Sequence, residues 1–145
     1  GKTMLDLFGG TGAVGIEALS RGAEHVIFLE INYRAYKTIQ ENLKTTNLDP
    51  YATVLKMDAF VYLRDQPTQS FNYIYVAPPQ YRNLWLKTMQ LLDENPGWVN
   101  PWDIVIVQIH PKELTETYDY ANFSEFDRRD YGDTLLLFFE RILQE

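Results

Sequence analysis

The chain contains no cysteine and only two histidines in 145 residues. Disulfide cross-links and thiolate nucleophiles are therefore excluded, and a reducing compartment, the cytoplasm, is the expected location. His25 begins one apolar run and His110 ends another. Neither has a carboxylate at ligand spacing, so no metal site is expected. Basic residues are scarce too, with 13 Lys and Arg against 20 Asp and Glu and a net charge of −7. A broad electrostatic grip on nucleic acid needs a basic footprint that such a chain lacks. Arg82, Lys87, Lys112, Arg128 and Arg129 read as dispersed, solvated charges. No apolar run is long enough to cross a bilayer and no charged, cleavable leader opens the chain, so no membrane association is expected. Gly1 is not an initiator Met and Thr3 already enters a strand, so residues before Gly1 are expected in the natural protein.

Against these absences stands a hydrophobic content of 46%, enough for one packed core. Residues 1–145 read as a single domain and a monomer. Apolar runs over Thr3–Phe8, His25–Glu30, Tyr51–Lys56, Phe71–Val76 and Asp103–Ile109 predict five strands. Helical patterns fall between them: Ala13–Arg21 with Gly22 as its stop, a segment capped by Asn32 and carrying Tyr36, Ile39 and Leu43, then Ala59–Arg64 and Leu84–Leu92. Asn95-Pro96-Gly97 breaks the last of these. Strands alternating with helices imply a mainly parallel sheet with helices on both faces. The tail differs, since Phe123–Asp130, a turn at Gly132-Asp133 and Thr134–Arg141 read as an antiparallel hairpin. Periodicity does not give the strand order.

The chemistry-bearing residues fall at the carboxyl ends of the predicted strands, where open α/β sheets bind ligands. Asp6 and a glycine turn, Gly9-Gly10-Thr11-Gly12, follow the first strand, Glu30 the second and Asp58 the third. Gly10-Thr11-Gly12-Ala13-Val14-Gly15 matches G-x-G-x-x-G, and Glu30 lies where a ribose would be held. A nicotinamide-dependent dehydrogenase therefore fits the glycines alone. Asp6 argues otherwise, because a carboxylate four residues before Gly10 opposes a pyrophosphate and suits an ammonium or sulfonium group. S-adenosylmethionine offers both groups, a ribose diol for Glu30 and an adenine amine for Asp58. The plainer alternatives are that Asp6 is a turn residue, Glu30 a solvated strand end and Asp58 a cap on the helix at Ala59. Together, the three carboxylates and the turn fit S-adenosylmethionine better. With the adjoining Phe8, Thr11, Ile31 and Ala59, they make the candidate cofactor-binding set Asp6, Phe8, Gly10, Thr11, Gly12, Glu30, Ile31, Asp58 and Ala59.

The fourth strand ends in Val76-Ala77-Pro78-Pro79-Gln80-Tyr81, where two prolines fix an extended turn. Rigid carbonyls there could accept from an exocyclic amine, and Tyr81, Tyr75 or Trp85 could stack on a base. Ala77, Pro78, Pro79, Gln80 and Tyr81 form the candidate catalytic segment.

Asp6–Gly12, Gly15-Ile16-Glu17-Ala18-Leu19-Ser20-Arg21-Gly22-Ala23, Val26–Glu30, Asn42-Leu43, Asp58 and the Pro-Pro turn together resemble the RsmD-like guanine-N2 methyltransferases of small-subunit ribosomal RNA. The resemblance covers nearly the whole chain. It implies a Rossmann-like class I methyltransferase fold, with a mainly parallel seven-stranded sheet whose last strand is antiparallel. It also implies S-adenosylmethionine as cofactor and ribosomal RNA or the small ribosomal subunit as partner. Asp6, Gly10 and Gly12 would line the methionine end, Glu30 would hold the ribose and Asp58 the adenine. Extrusion of the acceptor guanine into the pocket would expose its edge.

One departure bears on mechanism. The family pattern is Asp, Asn or Ser before Pro-Pro and an aromatic after it. Here the run is Ala77-Pro78-Pro79-Gln80, with Tyr81 one place late. Ala77 cannot draw a hydrogen from the amine, which leaves the carbonyls of Ala77 and Pro78 and the amide of Gln80. The alternatives to the guanine-N2 reading are a methyltransferase of altered acceptor specificity and a cofactor-binding module without methyl transfer.

Overall fold

A computed structural model describes residues 1–79, 83–114 and 118–144. The strands are β1 (Thr3–Asp6), β2 (His25–Leu29), β3 (Ala52–Leu55), β4 (Phe71–Val76), β5 (Val99–Ile109), β6 (Phe123–Asp130) and β7 (Leu135–Arg141). The helices are α1 (Ala13–Ser20), α2 (Tyr33–Thr45), α3 (Ala59–Arg64) and α4 (Leu84–Glu94), with short 3-10 turns at Asp49–Tyr51, Pro96–Trp98 and Pro111–Glu113.

The strands form one seven-stranded sheet in the order β3-β2-β1-β4-β5-β7-β6. The first five are parallel, and β7 runs antiparallel to both β5 and β6. This is the expected Rossmann-like arrangement with its terminal hairpin. The order, which periodicity could not supply, places β1 at the centre of the five parallel strands. The chain moves outward through β2 and β3, then returns to β4 on the other side of β1. A crevice opens at such a reversal, beyond the carboxyl ends of β1 and β4.

Alternation along the strands decides which helix covers which face. Leu5, Ile27 and Ile74 share a register and pack with Leu63 of α3 and Trp85, Met89 and Leu92 of α4. Met4, Val26, Phe28 and Tyr75 point the other way, against Leu19 of α1 and Ile39 and Leu43 of α2. Each side chain of this size buried from water contributes about 1.5–3 kcal/mol.

Local chemistry fixes the helix ends. Asn32 accepts from the Ala35 amide at 3.0 Å and caps α2. Gly22, at φ +101°, closes α1 as the Ala23 amide reaches back to the Ala18 carbonyl at 3.0 Å. Several boundaries differ from those expected. β1 stops at Asp6 rather than Phe8, and β2 at Leu29 rather than Glu30, because the chain then turns to build the rim. β3 begins at Ala52 because Asp49-Pro50-Tyr51 coils into a 3-10 turn. β5 begins at Val99, not Asp103. Its register against β4 jumps from Phe71↔Val99 to Tyr73↔Ile104, and the slack is taken up around Trp102 at φ +67°. α4 runs on to Glu94. Among the described residues no helix is long and apolar enough to cross a membrane.

Candidate functional site

The turn between β1 and α1 is held by its own amides. Gly9 N donates to the Leu29 carbonyl and Gly12 N to the Gly9 carbonyl, both at 2.8 Å. Gly10 N donates to Oε1 of Glu30 at 2.9 Å. Gly10 and Gly12 have φ of +58° and +83°, which L side chains rarely adopt. The third glycine of the motif does different work. A Cβ on Gly15 would lie 2.3 Å from Cε1 of Phe28, so its missing side chain lets α1 rest directly on β2.

Glu30 is anchored at both oxygens, since Oε2 accepts the Asn32 amide at 2.8 Å while Oε1 takes Gly10. Carboxylate oxygens have further lone pairs, so both can still accept from a ligand hydroxyl. Asp58 is indeed the cap of α3, as its plainer alternative supposed. Its Oδ1 accepts from Phe60 and Val61 at 2.8 and 3.1 Å, and Oδ2 carries neither bond.

A cavity of about 340 Å³ lies over these strand ends. Of the residues singled out in the sequence, Phe8, Gly10, Glu30, Ile31, Asp58, Ala59, Ala77, Pro78 and Pro79 line it together. Thr11 and Gly12 do not line it, and the Thr11 carbonyl instead accepts from Asn42 Nδ2 at 3.0 Å. Asp6 is also outside the lining, because it sits below the turn at 1% exposure and bonds the Phe8 amide at 3.3 Å. Burial pushes its carboxyl up to about 7, the Phe8 bond opposes that rise and the charge of Glu30 adds to it. Gln80 and Tyr81 lie outside the described residues.

Two aromatic expectations are corrected. Trp85 has no exposed face for a base, because it is fully buried and donates its indole N–H to the Glu113 carbonyl at 3.3 Å. Tyr75 is buried against the α1 and α2 face and hydrogen-bonds Gln108. Sequence reasoning missed Leu7, Leu29 and Met57, which supply apolar lining. Met57 had a signal: it lies directly before Asp58, just past the end of β3.

The lining thus carries two carboxylates, Glu30 and Asp58, and among the described residues no cationic side chain. It suits a ligand with donors and positive charge. Among the described residues no group of three or more His, Asp or Glu could hold a metal ion.

The chain is similar to several known proteins. The family model described as "Conserved hypothetical protein 95" matches residues 1–140. A Bacillus subtilis protein, YlbH, named provisionally as an rRNA methyltransferase, is 39% identical over 116 residues, 78% of this chain and 62% of its own length. Ribosomal RNA small subunit methyltransferase D of Escherichia coli K12 is 30% identical over 140 residues, covering 97% of this chain and 69% of the relative. A solved structure of a Haemophilus influenzae protein described provisionally as a methylase superposes with a TM-score of 0.87 at 26% identity, covering 98% of this chain and 88% of the other. The chain spans 54 to 62% of the length of the first three curated relatives it matches.

Proposed function

Since the chain belongs to the family of conserved hypothetical protein 95, the RsmD-like methyltransferases, we propose that it transfers a methyl group from S-adenosylmethionine to the exocyclic N2 of a guanine in small-subunit ribosomal RNA. The observation that carries this reading is the use already made of the glycine amides. In a dinucleotide site those N–H groups face a pyrophosphate. Here Gly9, Gly10 and Gly12 donate to Leu29, Glu30 and Gly9. Those three amides are taken by the protein itself, and the charged side chains lining the cavity are carboxylates.

The residues present fit S-adenosylmethionine. Glu30 offers two fixed acceptor oxygens to a ribose diol. Asp58, with Oδ2 outside its capping bonds, is an acceptor for the adenine amine, and Ile31, Met57 and Ala59 give the purine apolar walls. Asp6 below the turn contributes negative charge toward the methionine end. When bound, S-adenosylmethionine supplies an electrophilic methyl group on a positively charged sulfur. The protein's own part is positioning, which can account for much of the rate of such a transfer. Pro78 and Pro79 fix the edge of the cavity where the guanine amine would enter. The carbonyls of Ala77 and Pro78 are the backbone acceptors for its hydrogens, and the proton lost on methylation passes to water.

The test uses the full-length protein. S-adenosylmethionine and NAD are each titrated, and labelled methyl is followed into small ribosomal subunits lacking the modification. Binding of S-adenosylmethionine with methyl uptake at a guanine N2 is expected. NAD binding without S-adenosylmethionine binding would overturn the reading.

A further inference from the structure

Lys87 is a charged group near the cavity that the proposed chemistry does not use. It is exposed on α4, and its Nζ lies 4.3 Å from the centroid of the Phe60 ring. Phe60 in turn meets Phe8 edge-on, with ring centroids 6.1 Å apart, and Phe8 lines the cavity. Ala59, which starts α3 directly before Phe60, lines the cavity together with Pro78 and Pro79. The ammonium is therefore linked to the cavity through two aromatic rings in contact, Phe60 and then Phe8.

The way Lys87 is held matters as much as its place. Residues three and four away on α4 are Leu84, Gln90, Asn83 and Leu91, so the helix offers it no acidic neighbour. Among the described residues Lys87, like most of the basic residues, joins no ion pair; its seat on the Phe60 ring is what distinguishes it from them. An aromatic face fixes a cation without neutralising it. In a chain of net charge −7, a cation seated on an aromatic ring near an acidic cavity is placed to meet an anion.

We propose that Lys87, positioned by Phe60, binds a backbone phosphate of the RNA next to the extruded guanine, so that the mouth of the site holds the acceptor strand while the acidic interior holds the cofactor. This rests on the function proposed above. A base drawn from its stack brings its flanking phosphates to the rim of the pocket that receives it. The carboxylates in the cavity repel that backbone, and Lys87 offsets them where the strand passes.

The test compares the full-length protein with Lys87→Gln, Lys87→Arg and Phe60→Leu. Methyl transfer to unmodified small subunits and binding of a small-subunit RNA transcript are both measured over a range of salt. Lys87→Gln is expected to raise KM for RNA several-fold and to lower the salt slope of RNA binding by about one unit, the effect of one lost phosphate contact. The maximal rate and S-adenosylmethionine affinity should hold. Lys87→Arg should stay near wild type, and Phe60→Leu should fall between, because the charge remains but loses its seat. An unchanged salt slope in Lys87→Gln would overturn the proposal, as would a loss of cofactor affinity equal to the loss for RNA. If the wild-type protein transfers no methyl, the function reading fails, while the binding slopes still decide the role of Lys87.

Discussion

The amide of Gly10 donates to Oε1 of Glu30 at 2.9 Å, tying the turn after β1 to the end of β2. With Asn32 on Oε2, Glu30 is oriented by backbone from two elements before any ligand arrives. Glu30→Ala removes the proposed ribose acceptor and leaves two amides without their partner. We expect S-adenosylmethionine affinity to fall at least about tenfold, roughly 1.4 kcal/mol. Glu30→Gln, which keeps one acceptor oxygen, should lose less. Isothermal titration, alongside melting curves of each variant, separates lost binding from lost fold. Wild-type affinity in Glu30→Ala would remove Glu30 from the site.

Asp6 gives a pH dependence whose sign follows from its surroundings. Its folded pKa is about 7 against an ordinary value of 3.8, chiefly through burial. Between those values the folded state keeps a proton that the unfolded chain has released. Stability therefore falls as pH rises through that window, and the penalty is complete above about 7. Asp6→Asn should stabilise the ligand-free protein at pH 8 by something on the order of 2–4 kcal/mol, and the gain should vanish near pH 4. The same substitution should weaken S-adenosylmethionine binding if the buried carboxylate below the turn acts on the ligand's positive charge, as proposed above. Urea unfolding of both proteins across pH checks the first expectation. An advantage for Asp6→Asn that grew as pH fell would refute it.

Gly15 and Phe28 form the closest helix–sheet approach in the motif. A methyl group at Gly15 would sit 2.3 and 2.5 Å from Cε1 and Cζ of a fully buried ring, which has no room to retreat. Gly15→Ala should cost about 1–3 kcal/mol through overpacking, even though alanine is the better helix former. Trimming the ring with Phe28→Leu in the same chain should recover part of that loss. The double-mutant cycle is the measurement. Additive losses would mean that the two residues do not oppose each other.

Much of the site is legible in the sequence because each of its parts ends a strand. An apolar run followed by Asp6 and glycines, by Glu30 or by Pro78-Pro79 reports both the strand and its carboxyl end. The strand order supplies what is missing, bringing β1, β2, β3 and β4 side by side so that their ends share a rim. One-dimensional periodicity carries no record of that order. It also cannot grade depth: Asp6 and Glu30 look alike in the sequence, yet only Glu30 lines the cavity. Trp85 looked available to a base for the same reason. Its place on the inner face of α4 is set by Leu5, Ile74 and Val105 across the sheet, none of them near it in the chain. Asp58 shows a third limit, because capping α3 and facing a ligand call for the same residue type. Both are open to Asp58, one through each oxygen.

Ala77 is where the rate should respond most to one added atom group. It lines the cavity at the end of β4, directly before Pro78, and its methyl group accepts nothing. A guanine N2 lone pair is delocalised into the ring. An acceptor that draws on an amino hydrogen favours the pyramidal nitrogen needed as the methyl arrives, and a group helping only at that stage raises the rate rather than the affinity. Ala77→Asp should therefore raise the maximal rate of methyl transfer to guanine N2, or at least hold it, with little change in S-adenosylmethionine affinity. Ala77→Asn should act in the same direction but more weakly, since a neutral amide oxygen is a poorer acceptor than a carboxylate. Single-turnover methyl uptake into unmodified small subunits, beside cofactor titration, measures the two effects separately. Loss of transfer in both variants with cofactor binding intact would mean that the natural acceptor is not an amine of this kind.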